Sequence, residues 1–117
     1  MDYAEVKIVV DENKIAREGK YPVDYIFHHI KCIAKTREIY LDEEKSNKST
    51  GKHAMTYRID YADNQNAPYT AAIFATLVYC SPAKNYIDSM IVYDSKSGNI
   101  EDSISSIKEM ENKYGII

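Results

Sequence analysis

The sequence predicts an α+β fold: a small single-layer sheet of three to four strands packed with about three helices, in the order β-α-β-α-β-α, as one domain over residues 1–117. Three observations carry this. Two segments alternate apolar and polar residues with the two-residue period of a strand. Two others repeat apolar residues at helical spacing. The strand segments also keep polar residues at every second position, which leaves one sheet face uncovered, unlike the all-apolar strands of a doubly wound parallel sheet.

The first strand rests on Ala4, Val6, Ile8 and Val10 alternating with Glu5, Lys7 and Val9. Asp11 then caps a short helical turn that Gly19 ends in the left-handed conformation. The clearest helix follows, where Val23, Ile26, Phe27, Ile30, Ile33 and Ala34 make one apolar stripe, with Pro22 at the first helical position. Thr36 to Leu41 reads either as more of this helix or as a short edge strand on Ile39, Tyr40 and Leu41. Asp42 to Lys52 is polar throughout and reads as a mobile surface loop. Met55, Tyr57, Ile59 and Tyr61 alternate with Ala54, Thr56, Arg58 and Asp60 in a second strand, and Ala62 to Ala67 form a polar connection.

From Tyr69 to Cys80 the chain is apolar almost all round, so periodicity does not separate buried helix from buried strand. Three alanines, the length and Pro68 at its start favour a helix. Pro82 ends it. Met90 to Tyr93 form a third strand, stopped by Ser95-Lys96-Ser97-Gly98. Ile100, Ile104, Ile107, Glu111 and Tyr114 share the face of a last helix, with Asn99 as N-cap, Asp102 three residues on as the box residue, and Gly115 just past its end.

Composition excludes several classes. Lys and Arg number 15 against 18 Asp and Glu, a net charge of −3, where a dedicated nucleic-acid or membrane-surface binder carries a basic excess. No apolar run reaches the roughly 18 residues of a membrane span, and Met1-Asp2-Tyr3-Ala4-Glu5 lacks the basic start and apolar stretch of a signal peptide, so a cytoplasmic location is expected. Two cysteines in that setting are expected as free thiols. Eleven Tyr, two Phe and no Trp mean that nearly every aromatic ring carries a hydroxyl needing a partner or water, which favours half-buried positions.

The stretch Lys7-Ile8-Val9-Val10-Asp11-Glu12-Asn13-Lys14-Ile15-Ala16-Arg17-Glu18-Gly19-Lys20-Tyr21, followed by Asp24, Ile26 and Ile30, resembles a group of small Firmicute proteins. These begin with a strand, a V-D-E-x-K-I-x-x-E-G-K-Y segment and an amphipathic helix, and look like single-domain accessory proteins of phages and mobile elements. Where those relatives have a Ser cap before the helix, this chain has Pro22. The resemblance implies an accessory role, such as interference with a host system.

For chemistry the survey is mostly negative: no glycine-rich phosphate loop, no G-x-S-x-G elbow, no H-E-x-x-H. Cys32 beside His28 or His29 is the least poor candidate for a nucleophile pair, and nothing local suggests an oxyanion site. No catalytic residue is therefore assigned. His28 and Cys32, one helical turn apart, would share a zinc ion only if Cys80 and His53 folded nearby. Structural zinc sites use two close ligand pairs and only one exists here, so no metal and no cofactor are expected. Asp42-Glu43-Glu44 and Glu101-Asp102 read as solvated loop charges and as carboxylates favoured by a helix dipole, ahead of a phosphate-mimicking patch.

Two surfaces remain. Opposite the apolar stripe of the first long helix lie Tyr21, Tyr25, His28 and Cys32, a semi-apolar row on the side that should face solvent. It suits a protein partner or a second copy, because Tyr supplies contact area at little cost in rotamer entropy. The alternative is a nucleic-acid or small-ligand surface on the sheet, with Tyr57, Tyr61 and Tyr93 stacking bases beside Lys7 and Arg58. That face is more simply the core, since Tyr57 and Tyr61 share it with Met55 and Ile59, and the cations form no stripe. The expectation is thus a non-catalytic accessory protein that binds a protein target, as inhibitor or adaptor, with homodimerisation possible and no membrane role.

Overall fold

The computed structural model describes residues 1–49 and 51–115. Tyr3–Asp11 form β1 and Glu12–Glu18 form α1, capped by the Asp11 carboxylate, which accepts from the Lys14 N–H at 3.0 Å, and closed by Gly19 at φ 62°. Val23–Thr36 form α2 and Tyr40–Leu41 form β2. A 3-10 turn at Glu43–Lys45 precedes β3, Asn47–Ser49, which pairs with β4, Lys52–Asp60. Ala67–Tyr79 form α3, Pro82–Tyr86 a second 3-10 turn, Ile87–Asp94 β5, Ile100–Asp102 β6 and Ser103–Tyr114 α4.

The class is α+β, but among the described residues there are six strands in the sheet and four α-helices, which overturns the expected three to four strands, three helices and strict alternation. Every pairing is antiparallel, in the order β2-β4-β1-β5-β6 with β3 beside β4. β2 is the edge strand that Ile39, Tyr40 and Leu41 offered as one reading, while the unexpected strands, β3 and β6, are three residues long, below the length at which alternation is visible. β2 and β3 together form one edge along β4, interrupted by the Glu43–Lys45 turn. The polar 42–52 segment is thereby tied down rather than free: Asp42 N–H donates to the Thr56 carbonyl at 2.7 Å, and Thr56 N–H donates to Ser46 Oγ at 3.1 Å. Of that segment, Thr50 lies outside the described residues.

Ala4, Val6, Ile8 and Val10 of β1 face one side with Met55, Tyr57 and Ile59 of β4 and with Met90 and Val92 of β5. All three long helices cover that side. α3 crosses β1, β4 and β5; α4 packs beside it on β5; α2 packs against α3 and the 82–86 turn. Ala67, Ala71, Phe74, Ala75 and Val78 are fully enclosed on one side of α3, while apolar Ala72, Ile73 and Leu77 lie half-buried on the other sides and Tyr69 is exposed, so apolar residues all round the helix hide the period of its buried face. Phe74 meets Tyr57 edge-on at 5.1 Å.

Two boundaries differ from expectation, and a third settles residues 36–41 as an edge strand rather than more helix. Pro22 is the N-cap of α2 with extended backbone, one position before the helix proper. α4 is capped by Asp102, whose carboxylate accepts from Ser105 N–H at 3.2 Å, and not by Asn99, because residues 100–102 first pair with β5 as an edge strand. α2 ends at Thr36, where Ile39 N–H reaches the Ala34 carbonyl and Glu38 N–H that of Lys35, a Schellman closure with Glu38 at φ 56° in the place glycine usually takes.

Candidate functional site

The face of α2 turned away from the core follows from the inward set Ile26, Ile30 and Ala34, all buried. Tyr25, His28 and Cys32 stand on the exposed side as the spacing implied. Tyr21 lies before Pro22 and outside the helix, yet its ring stacks on Tyr25 at 5.2 Å with planes 13° apart. Tyr86, buried in the 82–86 turn, meets Tyr21 edge-on at 6.4 Å. The tyrosine pair is thus anchored in the fold, while Tyr25 remains 42% exposed. Farther along, His28 Nε2 and Cys32 Sγ are 3.4 Å apart, and the Tyr25 and His29 rings are 5.9 Å apart. The face therefore presents an aromatic pair, Tyr25 on the helix and Tyr21 just before it, and a thiol–imidazole pair one to two turns along.

His53 does not join them. It sits on β4, against Phe27 at 4.8 Å and with Nδ1 3.3 Å from Glu12. Cys80 caps the end of α3 and, like Cys32, is exposed and unbridged. Among the described residues no group of three or more His, Cys, Asp and Glu is placed to hold a metal ion.

The residues of the sheet alternative are divided between two faces. Tyr57 is 2% exposed in the core, and burial, with only the Met55 sulfur 3.9 Å from its hydroxyl, pushes it up to about 12. Tyr61 lies on the same side and is also pushed up to about 12, by burial and by donating to the Asp94 carboxylate at 2.8 Å. Lys7, Arg58 and Tyr93 lie on the opposite, helix-free face. There Lys7 is exposed, while Arg58, and Lys45 beside it, are engaged within the chain. The Arg58 guanidinium lies 4.0 Å over the Tyr3 ring and bonds Asp60 at 2.7 Å, while Lys45 bonds Glu5 at 2.6 Å and approaches Tyr3 from 5.3 Å. Tyr3 meets Tyr93 edge-on at 6.1 Å. Tyr3 is absent from the sequence-level set, although extending the β1 alternation back by one pair places it beside Glu5.

A cleft of about 520 Å³, also invisible in the sequence, opens between the end of α2, β2 and the start of the 60–64 connection. Its wall carries six carboxylates, among them Glu38, Asp42 and Asp63, against Arg37 and Arg58. With Arg58 held by Asp60 and only Arg37 besides it against six carboxylates, the net charge of this wall disfavours anions. The cleft is assembled from residues 37 to 64, so no local motif announces it.

A third polar cluster lies where β1, β4 and β5 end. Lys52 bridges Asp88 and Asp11, and the bond to Asp88 first, then that to Asp11, raises Lys52 above the ordinary lysine value. The Lys14 N–H and Lys52 together hold Asp11 below the ordinary carboxylate value. Gly51, at φ 73°, accepts the Glu12 N–H at 2.9 Å, and a Cβ there would fall 2.0 Å from the Asn13 side chain. These contacts fasten the β3–β4 hairpin to the start of α1 and are accounted for structurally.

No family model matches the chain, and no curated protein matches it. Among solved structures it is similar to the C-terminal domain of the MgtC protein from Mycobacterium tuberculosis, with 10% sequence identity over 85% of this chain and 93% of that one. The TM-score is 0.49, at which the likeness carries no argument about function.

Proposed function

We propose that this protein acts without catalysis, by binding another protein through the exposed face of α2, with Tyr21, Tyr25, His28 and Cys32 as contact residues. The observation that carries the reading is the anchored stack: Tyr21 is fixed by Tyr86 and stacked on Tyr25, and Tyr25 remains open to solvent. A ring held in place loses little freedom on binding, which is the property that makes interfacial tyrosines strong contacts. The resemblance over residues 7–30 adds an accessory role, as inhibitor or adaptor, to this proposal.

The sheet alternative is less favoured because its residues do not share a face: Tyr57 is enclosed in the core, Tyr61 bonds Asp94 on that same side, and Arg58 is matched by Asp60 on the other, which leaves Lys7 and Tyr93. The test compares wild type and Tyr25→Asp by native mass spectrometry and sedimentation, alone and with lysate. A stoichiometric protein complex weakened by about 30-fold or more in Tyr25→Asp, with unchanged melting, is the expected outcome. An unaltered complex removes the face from consideration. Nucleic acid bound with an affinity that falls steeply with salt replaces it with the sheet reading.

A further inference from the structure

We propose that His28 and Cys32 form one half of a zinc site completed by the same two residues of a second copy, so that Zn2+ joins two chains through α2. The inference rests on the docking face proposed above and names its occupant. Zinc takes imidazole nitrogen at about 2.0–2.1 Å and thiolate sulfur at about 2.3 Å, so neighbouring N and S ligands of a tetrahedron stand about 3.6 Å apart. His28 Nε2 and Cys32 Sγ are 3.4 Å apart on exposed positions of one helix, which is that spacing within a few tenths of an ångström. Two ligands from one chain leave half the tetrahedron unfilled, and the described residues supply no third, since His53 is turned toward Phe27 and Glu12.

The helix itself argues for a second copy. In an antiparallel pair of α2 helices with the two-fold axis midway between positions 28 and 32, each His28 faces the other copy's Cys32, giving a Cys2His2 set. In that register Lys35 of one copy lies opposite Asp24 and Tyr25 of the other. At 100° per residue Asp24, Tyr25, His28, Cys32 and Lys35 share one face, which Tyr21 joins by stacking on Tyr25, and Asp24 and Lys35 are exposed. Each end of the contact thus pairs a cation with a carboxylate and an aromatic ring. On binding, the two thiols lose their protons to solvent and the Zn2+ with two thiolates is neutral, so no charge is left buried without a counter-charge.

The test adds Zn2+ alone to the purified full chain. Sedimentation should show a species of twice the 13.4 kDa chain containing one metal per two chains. Co2+ in place of zinc should give thiolate charge-transfer absorption for two sulfurs per metal. Cys32→Ser and His28→Ala, both at exposed positions, should remain monomeric under the same zinc, while Cys80→Ser behaves as wild type. No uptake, one metal per chain, or uptake untouched by Cys32→Ser overturns the proposal. A dimer that forms equally well with chelator present and is lost in Tyr25→Asp also overturns it, and leaves the docking-face reading standing. A zinc dimer unchanged in Tyr25→Asp removes the tyrosines from the contact and leaves the metal bridge.

Discussion

The α2 face and the helix-free sheet face both display tyrosines beside cations, yet they use them differently. On the sheet, Arg58 and Lys45 lie over Tyr3 and are themselves held by Asp60 and Glu5, so ring faces and charges are matched within the chain. On α2, Lys20 lies 5.7 Å over Tyr21, but Tyr21 and Tyr25 stack on each other, no cation lies over Tyr25 among the described residues, and Tyr25 keeps 42% of its surface in water. A count of aromatic residues on a surface therefore says little about binding. What matters is whether the chain's own polar groups already occupy the rings, because an incoming partner must displace whatever is there.

The sharpest way to break this comparison is to test the face assignment within β4. Tyr57 and Arg58 are neighbours in sequence, one enclosed against Phe74 and the other on the helix-free side. Tyr57→Ala should cost about 3–5 kcal/mol in urea unfolding, as large aromatic truncations in cores do. Arg58→Ala removes a partly exposed ion pair and a cation–ring contact and should cost about 1 kcal/mol or less. Equal costs would mean that the two faces are not distinct.

A smaller effect separates the enclosed tyrosines from the open ones. Tyr57 and Tyr61 are both pushed up to about 12 from an ordinary 10, the first by burial, the second by burial and then by the Asp94 carboxylate. A raised folded-state value means that the folded chain holds these protons more tightly than the unfolded chain. The associated stability is fully present below pH 10 and is lost as pH rises through 12. Absorbance titration at alkaline pH should show a late step, reduced in Tyr57→Phe. A single step near 10 for all eleven tyrosines would contradict the enclosure of both.

How much of this was legible in the sequence depends on how many residues carried each signal. β1 and β4 repeat their alternation over nine residues each, and α2 its stripe over fourteen, so all three could be read. β3 and β6 pair in hairpins with the strands next to them in the chain, but three residues each hold no period, and β2 was legible only as one of two readings of residues 36–41. Asp102 was legible as a capping residue but was assigned to the box position rather than the cap, because the apolar Ile100 fits the α4 face as well as it fits an edge strand. For the α2 face, the helical spacing gave Tyr25, His28 and Cys32. The anchoring of Tyr21 by Tyr86 joins residues 65 positions apart and had no local signature. Likewise, the sheet set mixed both faces because Tyr57 and Tyr61 belong to one parity of β4 and Arg58 to the other.

The smallest expected effect concerns the turn that links the two surfaces. Glu38 holds φ 56° at the end of α2, where a side chain with a Cβ is strained by about 1 kcal/mol and glycine is not. The closure it completes places Ile39, 3% exposed, into the core and starts β2, so the chain accepts the strain to bring α2 onto the sheet edge. Glu38→Gly should therefore raise stability by about 0.5–1 kcal/mol, the relief of strain being offset in part by the greater freedom of glycine in the unfolded chain. Since Glu38 belongs to neither tyrosine surface, the substitution should leave partner binding unchanged. A loss of stability would show that the Glu38 side chain contributes more through the wall of the acidic cleft than its backbone costs, and would make that cleft, rather than α2 or the open sheet, the next surface to probe.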